Sequence, residues 1–297
     1  MSDTGWLWVV FTLIAAAAQT VRNATQRELT AKLGTVGATH VRFLFGFPFA
    51  LLFLAGVMLS LGQALPRPPA VYWPWVVVGA LTQIAATALM LAAMNDRSFV
   101  VVYAYIKTEP VQAALFGLVF LGDAVMPWMA AAILIATTGV VAMALKPGTS
   151  SDLNATLLGL AAGAMFALSA VGYRGAILSL ALPSYVMAAT FTLALGLVLQ
   201  STLLSLYLWL RSPDVLAAIV RAWRPSLFAG FMGALASQFW FLAFALASAA
   251  SVRTLALVEV LFAQAISRFV FKQATAPREA LGIALIVAGV VLLLWAP

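Results

Sequence analysis

The 297-residue chain has no cysteine and one histidine, and only 8% of its residues are charged. Without cysteine there is no disulfide, thiolate metal site or cysteine nucleophile, and a single imidazole leaves out the usual zinc constellations as well. The phosphate-loop pattern G-x-x-x-x-G-K-[ST] is missing, which speaks against ATP-driven pumping by this chain, and neither G-x-S-x-G nor H-E-x-x-H occurs. The nine acidic residues are dispersed rather than gathered in Asp-rich clusters, which is unsuited to a metal-dependent prenyl or phosphoryl transferase. The expectation is a protein that is not an enzyme and uses no metal or cofactor.

What the chain has in abundance is apolar surface. Hydrophobic residues make up 64% of it, and the mean hydropathy is +1.07. That exceeds what one soluble core hides, so the bilayer is the expected solvent and membrane lipid an expected partner. The net charge of +7 does not point to nucleic acid, because the basic residues stand singly between apolar segments, as juxtamembrane residues do. Residues 1–5 carry Asp3 and no Lys or Arg, the wrong sign for a secretory signal, so Trp6 onward reads as a retained first span.

About 20 apolar residues cross the hydrocarbon. Ten segments meet that length: 6–26, 36–61, 73–93, 98–121, 126–145, 156–178, 184–208, 226–247, 251–271 and 277–295. Breaks such as "LPRPPAVYW", "KPGTSSDLN" and "RSPD" separate them. Shifting the chain by 150 residues lays "EPVQAALFGLVFLGDAVMPWMAAAILIATTGVV" from Glu109 over "EVLFAQAISRFVFKQATAPREALGIALIVAGVV" from Glu259 without a gap. Glu109 meets Glu259, Pro127 meets Pro277, and Gly139 meets Gly289. Five spans per half reverse the orientation of the second half, which predicts an all-α membrane protein of two inverted five-helix repeats, 1–147 and 148–297, around a central cavity.

Two five-span halves, each closing with a helix like "EPVQAALFGLVFLGD", a proline-marked turn and a helix like "AAILIATTGVVAMAL", resemble the EamA branch of the drug/metabolite transporter superfamily. The resemblance spans nearly the whole chain. Its motifs are matched at Glu109, Pro110 and Asp123, whereas Val260 and Gln273 replace the proline and the acid in the second half. It implies export of amino acids, nucleotide sugars, drugs or other small metabolites across the cell membrane, the inner membrane of a bacterium.

An ionisable group near the bilayer centre costs at least about 2.5 kcal/mol, so Lys107 and Glu109 are expected to face a bundle interior or a wet cavity. On a continuous helix they lie about 200° apart and point to different neighbours. Glu109 and Glu259, kept in both halves, suit an anchoring role or coupling to a proton or substrate. Lys107 matches Leu257 in the other half, and two readings stand for it: binding a substrate carboxylate, or a buried salt bridge with a glutamate such as Glu259. Pro110 either simply kinks its helix or frees the Ile106 carbonyl near Lys107.

Other polar residues at membrane depth are weighed in the same way. His40 is a proton-relay candidate, and Arg42 reads as snorkelling to the interface. Gln83 and Gln238 stand among small residues and either bind a ligand or join helices. Tyr103, Phe239 and Trp240 are candidates for aromatic walls. "VRNATQREL" at 21–29 reads as a solvated helix end.

The function expected is alternating-access export of small polar metabolites by a secondary transporter, possession of one intramembrane cation favouring amino acids over diphosphates. A proton-coupled drug or nucleotide-sugar-type transporter is the alternative, with an intramembrane enzyme and an ion channel behind it. A monomer is expected. Basic residues concentrate in loops after odd-numbered spans, while those after even-numbered spans hold Arg67 and, at their edges, Arg174 and Arg253. By the positive-inside rule this puts both termini outside the cytoplasm, whereas the resemblance implies both inside.

Overall fold

The computed structural model describes residues 5–93, 99–144, 153–269 and 276–295. Among them every regular element is helical: α1 (Leu7–Leu44), α2 (Phe47–Leu61), α3 (Tyr72–Ala93), α4 (Phe99–Ile106), α5 (Glu109–Leu121), α6 (Pro127–Ala144) and α7 (Leu153–Ser179), then α8 (Tyr185–Arg211), α9 (Pro213–Arg221), α10 (Trp223–Leu246), α11 (Ala249–Leu255), α12 (Val258–Phe269) and α13 (Pro277–Trp295). Helices are what an apolar solvent demands, since each satisfies its own backbone groups. Six helical stretches are long and apolar enough to cross a membrane: Lys32–Leu61, Tyr72–Ala92, Thr156–Ser179, Tyr185–Arg211, Trp223–Leu246 and Pro277–Trp295.

Local chemistry sets the ends. Gly34 interrupts α1 with φ 69° and ψ 175°, a conformation only glycine adopts without strain, and so divides the first apolar stretch from the second. Ser184 and Ser248 cap α8 and α11 by accepting from the N–H groups of Met187 and Ser251. The "RSPD" segment, expected as a loop, instead opens α9. Pro213 fits its first turn, where no intrahelical donor is needed, and Asp214 lies at the positive end of its dipole.

The most extensive helix pairs are α1 with α10, α3 with α7 and α6 with α13. Lipid offers little hydrophobic drive for such pairing, so close packing of small residues must supply it. A Cβ on Gly172 would stand 2.8 Å from the Gly79 nitrogen, and one on Gly230 would stand 2.5 Å from the Phe45 carbonyl carbon. In the α6–α13 crossing, a Cβ on Gly139 would meet the Gly282 oxygen at 2.7 Å, and one on Gly289 the Ala132 oxygen at 2.7 Å.

The segments expected as single fourth and ninth spans are each broken in two. Between α4 and α5 the Lys107 N–H bonds the Ala104 carbonyl at 3.2 Å and the Thr108 N–H bonds Tyr105 at 3.1 Å. Between α11 and α12 the Leu257 N–H bonds Thr254 at 3.1 Å and the Glu259 N–H bonds Ala256 at 3.0 Å. Both breaks are tightened turns with i to i−3 bonding. Pro110 sits in the first turn of α5, opening a helix rather than kinking one. The second break forms with Val260 in the corresponding place, so proline alone does not cause it.

Candidate functional site

The two breaks face one narrow cavity of about 40 Å³, walled by α1, α3, α7, α10 and both broken helices. Four basic side chains line it, Arg22, Arg42, Lys107 and Arg253, against two acidic ones, Glu109 and Glu259. All six are at least nine-tenths buried.

Two ion pairs cross between the broken helices. Lys107 pairs with Glu259, and Arg253 Nε lies 2.8 Å from Glu109 Oε1. The second is a charge contact, because neither atom makes a hydrogen bond of good geometry there. Because the turn at 107–108 ends the regular helix, Lys107 and Glu109 do not diverge as a continuous helix would force them to, and both border the cavity.

A polar chain continues from these pairs. Gln19 donates from Nε2 to Glu259 Oε2 at 3.2 Å, and its Oε1 accepts from Trp240 Nε1 at 3.1 Å. The Arg253 guanidinium lies 4.8 Å from the centre of the Trp240 ring and 5.3 Å from that of Phe244, cation–π contacts within the attractive range. On another wall, Gln83 Oε1 accepts from Gln200 Nε2 at 2.8 Å. This fixes the amide of Gln83, so its cavity face is presented by a held side chain.

Arg22 and Arg42 meet over Gly233 of α10, where a Cβ would lie 3.4 Å from Arg22 Cδ and 3.3 Å from Arg42 Cγ. Arg22 donates to Asn23 Oδ1 at 2.7 Å, and Arg42 donates from Nη1 to Thr87 Oγ1 at 3.2 Å. The Arg42 Nε is buried without a partner among the described residues. Arg42, expected to snorkel, is therefore inside, held on α1 beyond the Gly34 break and covered by α3 and α10. Arg22 and Asn23, expected on a solvated helix end, also border the cavity.

One end of the bundle is fastened by Arg174 of α7. Its Nη1 donates to the Phe244 and Ala247 carbonyls at 2.6 Å each, at the end of α10. Its Nε and Nη2 donate to the Asp123 carboxylate just past α5, both at 3.3 Å. The ends of α5 and α10 are thus tied to α7 by one guanidinium, which also satisfies terminal carbonyls of α10.

The sequence candidates separate accordingly. Lys107, Glu109, Glu259, Gln83 and Trp240 border the cavity. His40 does not: it is fully buried and its Nε2 lies 3.0 Å from Ser205 Oγ on α8. Gln238 donates to Thr190 Oγ1 at 2.8 Å, a bond between α10 and α8 outside the cavity. Phe239 packs on Phe11, with ring centres 5.9 Å apart. Pro110 is buried in α5. The Tyr103 side chain lies outside the described residues. Sequence reading passed over Gln19 and took Arg253 only as a loop-edge charge. The available signal was Gln19 and Arg22 at i and i+3 where the apolar start of α1 gives way to polar residues, and Arg253 five residues after the capping Ser248.

No protein-family model and no curated protein matches the chain. A solved crystal structure does, with a TM-score of 0.69 over 98% of this chain and 95% of that one, at 17% identity. At that identity the likeness establishes a shared fold and nothing about activity.

Proposed function

We propose that the chain is a secondary transporter of the drug/metabolite type, related to the EamA branch, that exports small polar metabolites with amino acids as the preferred class. The observation that carries the reading is the pair of helix breaks, 150 residues apart, that border a single cavity lined by buried charge. Discontinuous helices at a repeat interface are how membrane transporters build a substrate site from freed backbone and side chains.

Ten spans follow when the six long apolar stretches are joined by Leu7–Asn23, Pro127–Met143 and the broken pairs α4–α5 and α11–α12. The packing supports two repeats, 1–147 and 148–297. A shift of 150 residues carries the α1–α10 pair onto the α7–α3 pair, and the Gly139–Gly282 contact onto the Gly289–Ala132 contact. Inversion follows from five spans in each half. Rocking of the halves about the cavity would then expose it to alternate sides, and the Lys107–Glu259 and Arg253–Glu109 pairs are contacts that such motion or an arriving carboxylate can exchange.

The orientation favoured by the basic residues gains support, because Arg174 and Arg253, counted at the edges on the terminal side, are turned inward. Arg67 then remains as the basic loop residue there. A terminal reporter active only outside the cytoplasm would support this placement in a bacterial inner membrane. The function is tested with purified protein in proteoliposomes: counterflow of labelled amino acids, with the solute recovered unchanged, is the expected result. Chemical conversion of the solute without flux would replace the transporter by an intramembrane enzyme.

A further inference from the structure

We infer that the substrate carries two anionic groups, as an acidic amino acid or a small dicarboxylate does, with Arg42 as a binding residue for the second group. The inference rests on the transporter reading and deepens it. The two glutamates are accounted for by Lys107 and Arg253. Arg42 belongs to no ion pair among the described residues. Its polar contact is the Thr87 hydroxyl, whose own hydrogen is given to the Gln83 carbonyl, leaving Oγ1 to accept.

An arginine 97% removed from solvent, with Nε lacking an acceptor, is a costly arrangement unless an anion completes it. The fork of donors on an arginine matches a carboxylate in two-point fashion. Gly233 makes room for the stem of Arg42, 3.3 Å from where a Cβ would stand, so α10 holds its guanidinium at the cavity wall. A zwitterion with a single carboxylate satisfies Lys107 by displacing Glu259 and leaves this wall as it was. A second carboxylate answers it, and the ammonium of an acidic amino acid finds the glutamate so displaced.

The test is calorimetric titration of the full chain in neutral-lipid nanodiscs with two near-isosteric pairs, glutamate against glutamine and succinate against succinamate. The doubly carboxylated member of each pair should bind at least about tenfold more tightly, since losing one buried charge contact removes that much or more. Arg42→Gln should erase the preference and Arg42→Lys should keep part of it. Equal binding within each pair overturns the inference, as does a preference retained in monodisperse Arg42→Gln. Should Arg42→Gln not fold, the wild-type pairs decide alone. Loss of glutamate and succinate binding in anionic-lipid nanodiscs would assign the wall to a lipid headgroup and likewise overturn it. Flux of glutamine without binding of glutamate or succinate sinks this inference and leaves the transporter, whereas glutamate binding with no flux of any solute does the reverse.

Discussion

Lys107, in the break between α4 and α5, reaches the carboxylate of Glu259 at the start of α12, joining the two broken helices across the cavity. The pair is internal, so its members are worth most to each other. Replacing Lys107 by Met leaves a buried carboxylate without its cation and should cost about 3–5 kcal/mol, while Lys107→Met with Glu259→Met should recover most of that. Thermal unfolding in detergent reads both. Single and double variants with the same midpoint as wild type would show that the pair contributes nothing.

On the proposed function, the same lysine bears on transport. With an incoming carboxylate competing for its ammonium, Lys107→Ala should abolish amino-acid binding and Lys107→Arg should keep part of it, because the charge stays within reach. Wild-type flux in a folded Lys107→Ala protein would leave Lys107 as a structural partner of Glu259 alone.

Glu109 faces Arg253, whose guanidinium also rests on the rings of Trp240 and Phe244. Those ring contacts remain when the carboxylate is made an amide. Glu109→Gln should therefore keep much of the transport while lowering thermal stability. Transport that vanishes at normal stability and expression would make Glu109 a coupling residue instead.

Arg174 fastens the end of α10 to Asp123, and a shift of 150 residues lays Arg174 over Ala24, so the sequence does not repeat this arginine. Asp123→Asn should loosen that end. The absence of native cysteine makes this directly measurable: a single cysteine at Ser237, which borders the cavity, should react with maleimide several-fold faster in the Asp123→Asn background. An unchanged rate would show that Arg174 does not limit access.

A Cβ on Gly289 would lie 2.7 Å from the Ala132 oxygen and from the Ala136 backbone nitrogen, whereas one on Gly56 meets nothing within 4 Å. Gly289→Ala should destabilise by about 1–3 kcal/mol because backbone must move. Gly56→Ala should be neutral or stabilising by up to about 1 kcal/mol through helix propensity. Equal unfolding midpoints for the two variants would contradict the close α6–α13 crossing.

What the sequence by itself determined was the class of element and the presence of stretches long and apolar enough to cross a membrane. Apolar runs of membrane-spanning length, with backbone groups that lipid cannot satisfy, leave helices as the outcome, and most helix ends fall near the glycines, prolines and serines that punctuate the runs. It also marked Lys107, Glu109 and Glu259, because a charge inside an apolar run is costly anywhere except beside a partner or a cavity.

The tertiary structure decided which partner. Arg42 and Arg22 look interfacial in one dimension, because a helix end is where a basic residue ordinarily finds water. Only the approach of α10, permitted by Gly233, turns both into a cavity wall. His40 and Gln238 look like ligand groups for the opposite reason. Each is polar within an apolar run, and only the position of α8 shows that Ser205 and Thr190 answer them. Local periodicity fixes the face of a helix, but the neighbour that face meets depends on contacts between residues far apart in the chain, and those exist only once the helices have packed.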